Sequence, residues 1–306
     1  MKTMMTLVDI GAAGGIPTRW SKIKDLRVVE FEPEKEAFEK LKSEIKPNKI
    51  ILNAALYKEA RPLDFYVTKS PTDSSVLKPN YSFVKQFPCA DRFKVTSTSR
   101  ISADMLDNQL KQHNVNDVDF IKLDTQGSEL FILEGSKETL SKAFGIEIEC
   151  EFQQIYEGRP LFGAIDAFLN KFGFRVFDLR NVYWKRKTGR FLGGDKGQLI
   201  YVEALYFKDL ENIPKHKIKV AKAVEISLLY GYADYAMEII EYFSNLFEPD
   251  ELAEYKSRLQ TLSRFTLPKL LRNAYVYRAL LRLARFFRPP LWKGVSSNDE
   301  LGNLEF

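Results

Sequence analysis

Thr6-Leu7-Val8-Asp9-Ile10-Gly11-Ala12-Ala13-Gly14-Gly15 is the stretch on which the fold turns. An apolar run of strand length meets a glycine-rich turn, as where a buried parallel strand hands over to a helix. Glycine lets backbone approach a ligand closely, and a following helix offers free N–H groups. Downstream, residues 26–32 form a second apolar run ending at Glu32. Pro33 then opens a helical stretch through Ile45, with Phe38, Leu41 and Ile45 at helical spacing. Residues 49–52 read as a third strand leading into Asn53 and Ala54, and residues 63–68 as an extra one. Residues 71–91 are polar, carry three prolines and lack a period, which predicts a long surface loop. Residues 102–112 read as a helix, and 118–124 as a further buried strand. Strands at 143–149 and 174–179 flank a helix at 161–172, and a loop at 189–197 precedes a β-rich run at 199–207. This alternation predicts an α/β fold: a doubly wound, mostly parallel sheet covered on both faces, with an antiparallel hairpin at its edge.

After Pro214 the texture becomes helical, so the expected division is an α/β domain at 1–208 and a helical appendage at 209–306. Charge is divided too. Residues 256–293 hold ten Lys/Arg and no Asp/Glu, leaving 36 basic and 41 acidic residues elsewhere. Within that segment Arg278, Arg282 and Arg285 share a helical face opposite Tyr277, Leu280, Ala284 and Phe287. Two expectations follow for 264–293: peripheral contact with an anionic membrane, or packing of the apolar side on the acidic body.

Composition narrows the function classes. Hydrophobic residues make up 45% and charged residues 28% of the 306, which excludes a disordered tail or a collagen-like fibre. Cys89 and Cys150 are the sole cysteines, and His113 and His216 the sole histidines, so neither a disulfide framework nor a Cys/His metal centre is expected. With no signal-peptide core and no apolar run of membrane-spanning length, a reducing, cytoplasmic setting is expected.

Glu32 lies 21 residues after Gly11, the arrangement in which an acidic side chain accepts hydrogen bonds from ribose hydroxyls. The glycine spacing is not Gly-x-Gly-x-x-Gly, and an acidic Asp9 beside the turn repels phosphates. Both features suit a nucleoside carrying a sulfonium amino acid rather than a pyrophosphate. Asp124 ends a central strand, where open α/β sheets bind ligands, although a helix N-cap explains an aspartate there equally well. Glu147 and Glu149 share one side of their strand, with Glu149 nearer its carboxyl end. Asp124, Glu149 and Glu151 are the available bases, Asp124 and Glu149 are the expected catalytic pair, and the oxygens of that pair also suit a divalent cation. His113 reads as a surface histidine.

Together these segments resemble the FkbM family of S-adenosylmethionine-dependent methyltransferases. The matching stretches are residues 8–14, Phe31-Glu32-Pro33, residues 53–56, residues 118–129 with Leu133-Glu134-Gly135, and residues 147–149 through Tyr156 to Leu161-Phe162. The resemblance covers residues 7–180. It implies the class I methyltransferase sheet, S-adenosylmethionine held by Asp9, Gly11, Ala12, Gly14, Glu32, Asn53, Ala54 and Asp124, and Asp124 beside the transferring methyl. Gln126 departs from the family, which usually has glutamate there; Glu129 is retained. The chain also starts close to its first strand, where many members carry a preceding segment over the pocket.

The expected activity is therefore O-methylation, with a sugar hydroxyl as acceptor by family resemblance. The acidic body and the lack of an RNA-binding module argue against a nucleic-acid partner. The alternative of another class is a non-catalytic protein that keeps the fold and binds partners or membrane through its helical tail. A nicotinamide-dependent oxidoreductase is disfavoured by the glycine spacing.

Overall fold

The computed structural model describes residues 4–43, 47–193, 196–263 and 295–297. The basic segment at 264–293 lies outside the described residues, as does the end of the helix expected to reach Ile45.

The chain opens with β1 (Met5–Ile10), buried throughout, then β2 (Leu26–Phe31), α1 (Lys35–Ser43) and β3 (Lys49–Leu52). The short β4 (Ala55–Leu56), β5 (Arg61–Thr68), α2 (Tyr81–Val84) and β6 (Val95–Asp104) follow. Next come α3 (Leu106–Gln112), β7 (Phe120–Leu123), α4 (Glu129–Glu134), α5 (Lys137–Lys142), β8 (Gly145–Glu151) and α6 (Phe162–Asn170). The hairpin β9 (Phe174–Trp184) and β10 (Gln198–Lys208) leads into α7 (Lys217–Leu229), α8 (Ala233–Tyr242) and α9 (Pro249–Ser263), and β11 (Val295–Ser297) is the last element described.

Eight strands form one sheet in the order β11-β9-β10-β8-β7-β1-β2-β3. From β8 to β3 every pairing is parallel, while β10 runs antiparallel to β8 and to β9. This is the class I methyltransferase sheet that the resemblance implies. Its hairpin does not simply add to the edge, because β10 enters between β8 and β9. The chain runs outward from β1 to β3 and then returns to place β7 on the other side of β1, which sets the carboxyl ends of β7, β1 and β2 side by side, the place where such sheets take ligands.

Two cores flank the sheet. One face carries α3, α4, α5 and α6 on Val8, Ile10, Ile121, Ile146 and Ile148. The opposite face, with Leu7, Phe120, Leu205 and Phe207, is covered by Trp20 and by α7, α8 and Leu259 of α9. The described helices after residue 208 are therefore not an outlying appendage; they close one side of the sheet. Tyr230, the residue just after α7, stacks on Phe120 with the ring centroids 5.3 Å apart.

Two local expectations are corrected. Residues 95–104, unassigned or taken as the start of a helix, form the long strand β6, paired antiparallel with β5 in a separate three-stranded sheet. Its exposed Thr/Ser alternation has no apolar face to announce it. Residues 71–91 are not a surface loop. The segment turns every few residues and buries Asp73, Ser75, Val84 and Phe87, so no single period develops. With Phe93 just beyond it, the segment packs through Val84 and Phe87 on Val182, Trp184 and Ile200 of the hairpin, a third small core.

Candidate functional site

The site begins at Gly11. Its φ of +82° lies in the left-handed region, and a Cβ there would sit 1.8 Å from the carbonyl oxygen of Asp124. Only glycine lets the ends of β1 and β7 approach so closely. Gly11 N–H donates to Phe31 O at 3.0 Å and Asp124 N–H to Ile10 O at 3.0 Å, locking three strand ends together.

Above them opens a cavity of about 700 Å³, within the ~300–1,000 Å³ usual for small-molecule sites. Gly11, Glu32, Ala54 and Asp124 line an inner half, with Phe31 and Ile132 among the apolar walls. Asp73, Arg92, Phe93, Trp184, Tyr201 and Glu203 line an outer half, and Gln126 and Glu149 lie between. The sharp segment 71–93 and the hairpin thus form the far wall.

Glu32 is 5% exposed, and its carboxylate accepts from Glu34 N–H at 2.9 Å and from the backbone of Ala13. Burial pushes its pKa up to about 7, against those hydrogen bonds. Asn53 does not face the cavity; its Nδ2 donates to Glu32 O at 2.8 Å and holds the end of β2 in place. Asp9 is fully buried beneath the turn rather than in the wall. It pairs with Lys122 at 2.9 Å, leaves Oδ2 without a partner, and is raised by burial to about 6. Ala12 and Gly14 belong to the one-turn helix after Gly11 and do not line the cavity.

At the middle of the cavity Gln126 Nε2 donates to Asp124 Oδ1 at 2.8 Å and reaches Glu149 Oε1 at 3.5 Å. Its Oε1 accepts from Tyr156 OH at 3.0 Å. Burial raises Asp124, and raises Glu149 well above the ordinary carboxylate range, Asp124 adding to the effect on Glu149. A neutral amide is what two neighbouring buried carboxyls need between them. A glutamate at 126, as in the family pattern, would add a third acid.

The loop that presents Gln126 is strained, with Gln126 at φ +57° and Gly127 at φ +116°. Glu129 holds it: Oε1 accepts from Thr125 N–H and Gly127 N–H, both at 3.0 Å. Arg159 donates to Glu129 Oε2 at 3.2 Å and pairs with Glu151, all three side chains being at most 1% exposed. Sequence reading passed over Arg159. Its signal was an arginine inside the 156–162 stretch, which no short-range spacing ties to Glu129 thirty residues earlier.

A second cavity of about 270 Å³ lies across Asp124, Glu149 and Glu203, walled by residues 15–18 and floored by Lys122 and Glu147. Glu147 accepts from Tyr230 OH at 2.8 Å and is thereby tied to α7, so of the two glutamates on that face Glu149 alone meets the main cavity. His113 is exposed at the end of α3. Among the described residues no group of three or more His, Cys, Asp or Glu is arranged to hold a metal ion, and no helix is long and apolar enough to cross a membrane.

The model of the methyltransferase FkbM domain matches residues 9–176. No curated protein matches the chain. Among solved structures, the N-terminal domain of EvdMO1 with SAH bound is 8% identical, with 67% of this chain and 74% of that one covered at a TM-score of 0.34. A TehB-like SAM-dependent methyltransferase from Corynebacterium glutamicum is 11% identical over 68% and 83% of the two chains, with a TM-score of 0.32. A SAM-dependent methyltransferase from Anabaena variabilis is 9% identical over 67% and 77%, with a TM-score of 0.36.

Proposed function

The chain belongs to the FkbM family of methyltransferases, and from that premise we propose that it methylates a hydroxyl group of a carbohydrate acceptor, using S-adenosylmethionine. The observation that carries the reading is the pair of raised carboxyls, Asp124 and Glu149, joined by Gln126 where the two halves of the cavity meet.

The inner half suits the cofactor. Glu32 accepts from ribose hydroxyls, and the backbone at Gly11 allows close approach. The carboxyls at the middle favour a positive sulfonium and repel phosphate. When bound, S-adenosylmethionine supplies an electrophilic methyl group on a positively charged sulfur. Asp124 orients that end of the site. Glu149 in its ionised form would take the proton of an acceptor hydroxyl facing the methyl group that the cofactor would supply. The outer half suits a sugar: the Trp184 and Phe93 rings offer apolar surface, and Arg92, Asp73, Tyr201 and Glu203 offer donors and acceptors.

Calorimetric titration with S-adenosylmethionine, its demethylated product and NAD tests the cofactor half; binding of NAD alone would overturn it. With a turning-over acceptor, Glu149→Gln is expected to lower kcat by about 10²–10⁴-fold with thermal stability kept. Because burial raises Glu149, kcat/KM should climb with pH through a limb above the usual carboxylate range. Glu149→Gln should remove that limb. A variant that retains both the limb and the rate would exclude Glu149 as the base.

A further inference from the structure

The hairpin between β9 and β10 ends in a tip that the methyl-transfer reading does not use. Phe191 is 84% and Leu192 76% exposed, the highest values among the large apolar residues described. They stand among Lys185, Arg186, Lys187, Arg190 and Lys196, with Asp195 the one acidic residue between 185 and 197.

The tip is held rather than loose. Lys187 N–H donates to Gln86 O at 2.8 Å, Arg186 lies over the Phe87 ring at 4.8 Å, and Lys185 Nζ donates to Leu192 O at 3.1 Å. Leu192 N–H closes the turn on Gly189 O at 2.8 Å. Among the described residues none of these five cations is paired with a carboxylate. Arg190 and Lys196 lie instead over the Phe191 and Tyr183 rings. Two adjacent apolar side chains, exposed on a braced turn and surrounded by cations that pair with no described carboxylate, match an apolar layer beneath an anionic headgroup plane.

We propose that residues 185–193, with Lys196, dock on an anionic lipid bilayer, with Phe191 and Leu192 entering its apolar layer. Trp184, at the base of the tip, lines the outer half of the cavity. The chain from Trp184 to Phe191 spans at most about 25 Å. A bilayer seated on the tip thus lies within reach of that wall, as an acceptor carried on a lipid requires. This last link rests on the proposed methyl transfer; the docking does not.

The test is vesicle flotation of the full chain with phosphatidylcholine vesicles with and without phosphatidylglycerol, at low and high salt. Anionic vesicles should be bound and neutral ones not, with affinity falling about fivefold for each tip cation neutralised to glutamine. The double variant Phe191→Ser/Leu192→Ser should bind at least about tenfold more weakly at unchanged melting temperature. The indole introduced by Phe191→Trp should be quenched by iodide in buffer, and by brominated acyl chains once vesicles are added. Equal binding by the double variant would assign any membrane contact to residues 264–306 and overturn the proposal. An indole shielded from iodide before vesicles are added would mean that another part of the chain covers the tip. Loss of oligonucleotide binding in the double variant, with no vesicle binding by the parent, would assign the tip to nucleic acid. Either result overturns it as well. None of these measurements requires activity, so their failure leaves the methyl-transfer reading to its own test.

Discussion

The inner and outer halves of the cavity are made in different ways. The inner half comes from the ends of neighbouring parallel strands, where backbone geometry dictates residue type: glycine at 11 because Asp124 O is in the way, an acid at 32 where β2 ends. The outer half is assembled from side chains far apart in the chain. Tyr156 OH, shared with Gln126, also lies 2.9 Å from Asp73 O, 83 residues away, and Phe93 packs on Trp184 at 5.8 Å. Backbone constraint makes a half-site local and rigid in kind; distant packing leaves the residue types free to follow the ligand.

The largest expected effect falls on the inner half. Gly11→Ala forces a left-handed residue, about 1–2 kcal/mol in itself, and drives its Cβ into the Asp124 carbonyl. S-adenosylmethionine affinity should fall at least about a hundredfold, near 2.7 kcal/mol, with a lower melting temperature. Calorimetry showing ordinary affinity would mean that β1 and β7 need not meet as described.

Glu32→Gln sharpens the same half through its sign. The native pKa of about 7 lies above the 4.5 of an unperturbed glutamate, so between those values the folded protein holds a proton that the unfolded chain releases. Stability is therefore lost as pH rises from about 4.5 to 7, by up to roughly 3 kcal/mol. The glutamine variant should melt higher than the parent at pH 8 and alike at pH 4, while binding S-adenosylmethionine about tenfold more weakly. A melting temperature that shifts equally at both pH values would show that Glu32 does not titrate in this range.

The smallest effect belongs to the outer half. Tyr201→Phe removes one hydroxyl from that wall and should raise the acceptor KM about three- to tenfold, leaving S-adenosylmethionine affinity unchanged. A change in cofactor affinity instead would break the division of the cavity.

The same contrast explains what was legible beforehand. The alternation of parallel strands with helices, the Gly11 turn, Glu32 and Asp124 could be read because each depends on a few consecutive residues. Asp9 and Asn53 were correctly placed at strand ends, yet their side chains turn to Lys122 and to the backbone after Glu32 rather than to the cavity. Arg159 was illegible because its partners, Glu129 and Glu151, meet it only in the folded chain. The segment at 71–91 hid its buried residues by changing direction before any period could appear.

The cover of the sheet by α7 and α8 sets an order of events during synthesis. By residue 208 the chain has every strand from β1 to β10, but Phe120, Phe144, Leu205 and Phe207 still lack the helices that pack over them. A nascent chain at that stage displays an aromatic face to solvent, and such surfaces are where aggregation and chaperone capture begin. Release from that hazard waits for Tyr230, Ile239 and Ile240 to emerge and dock.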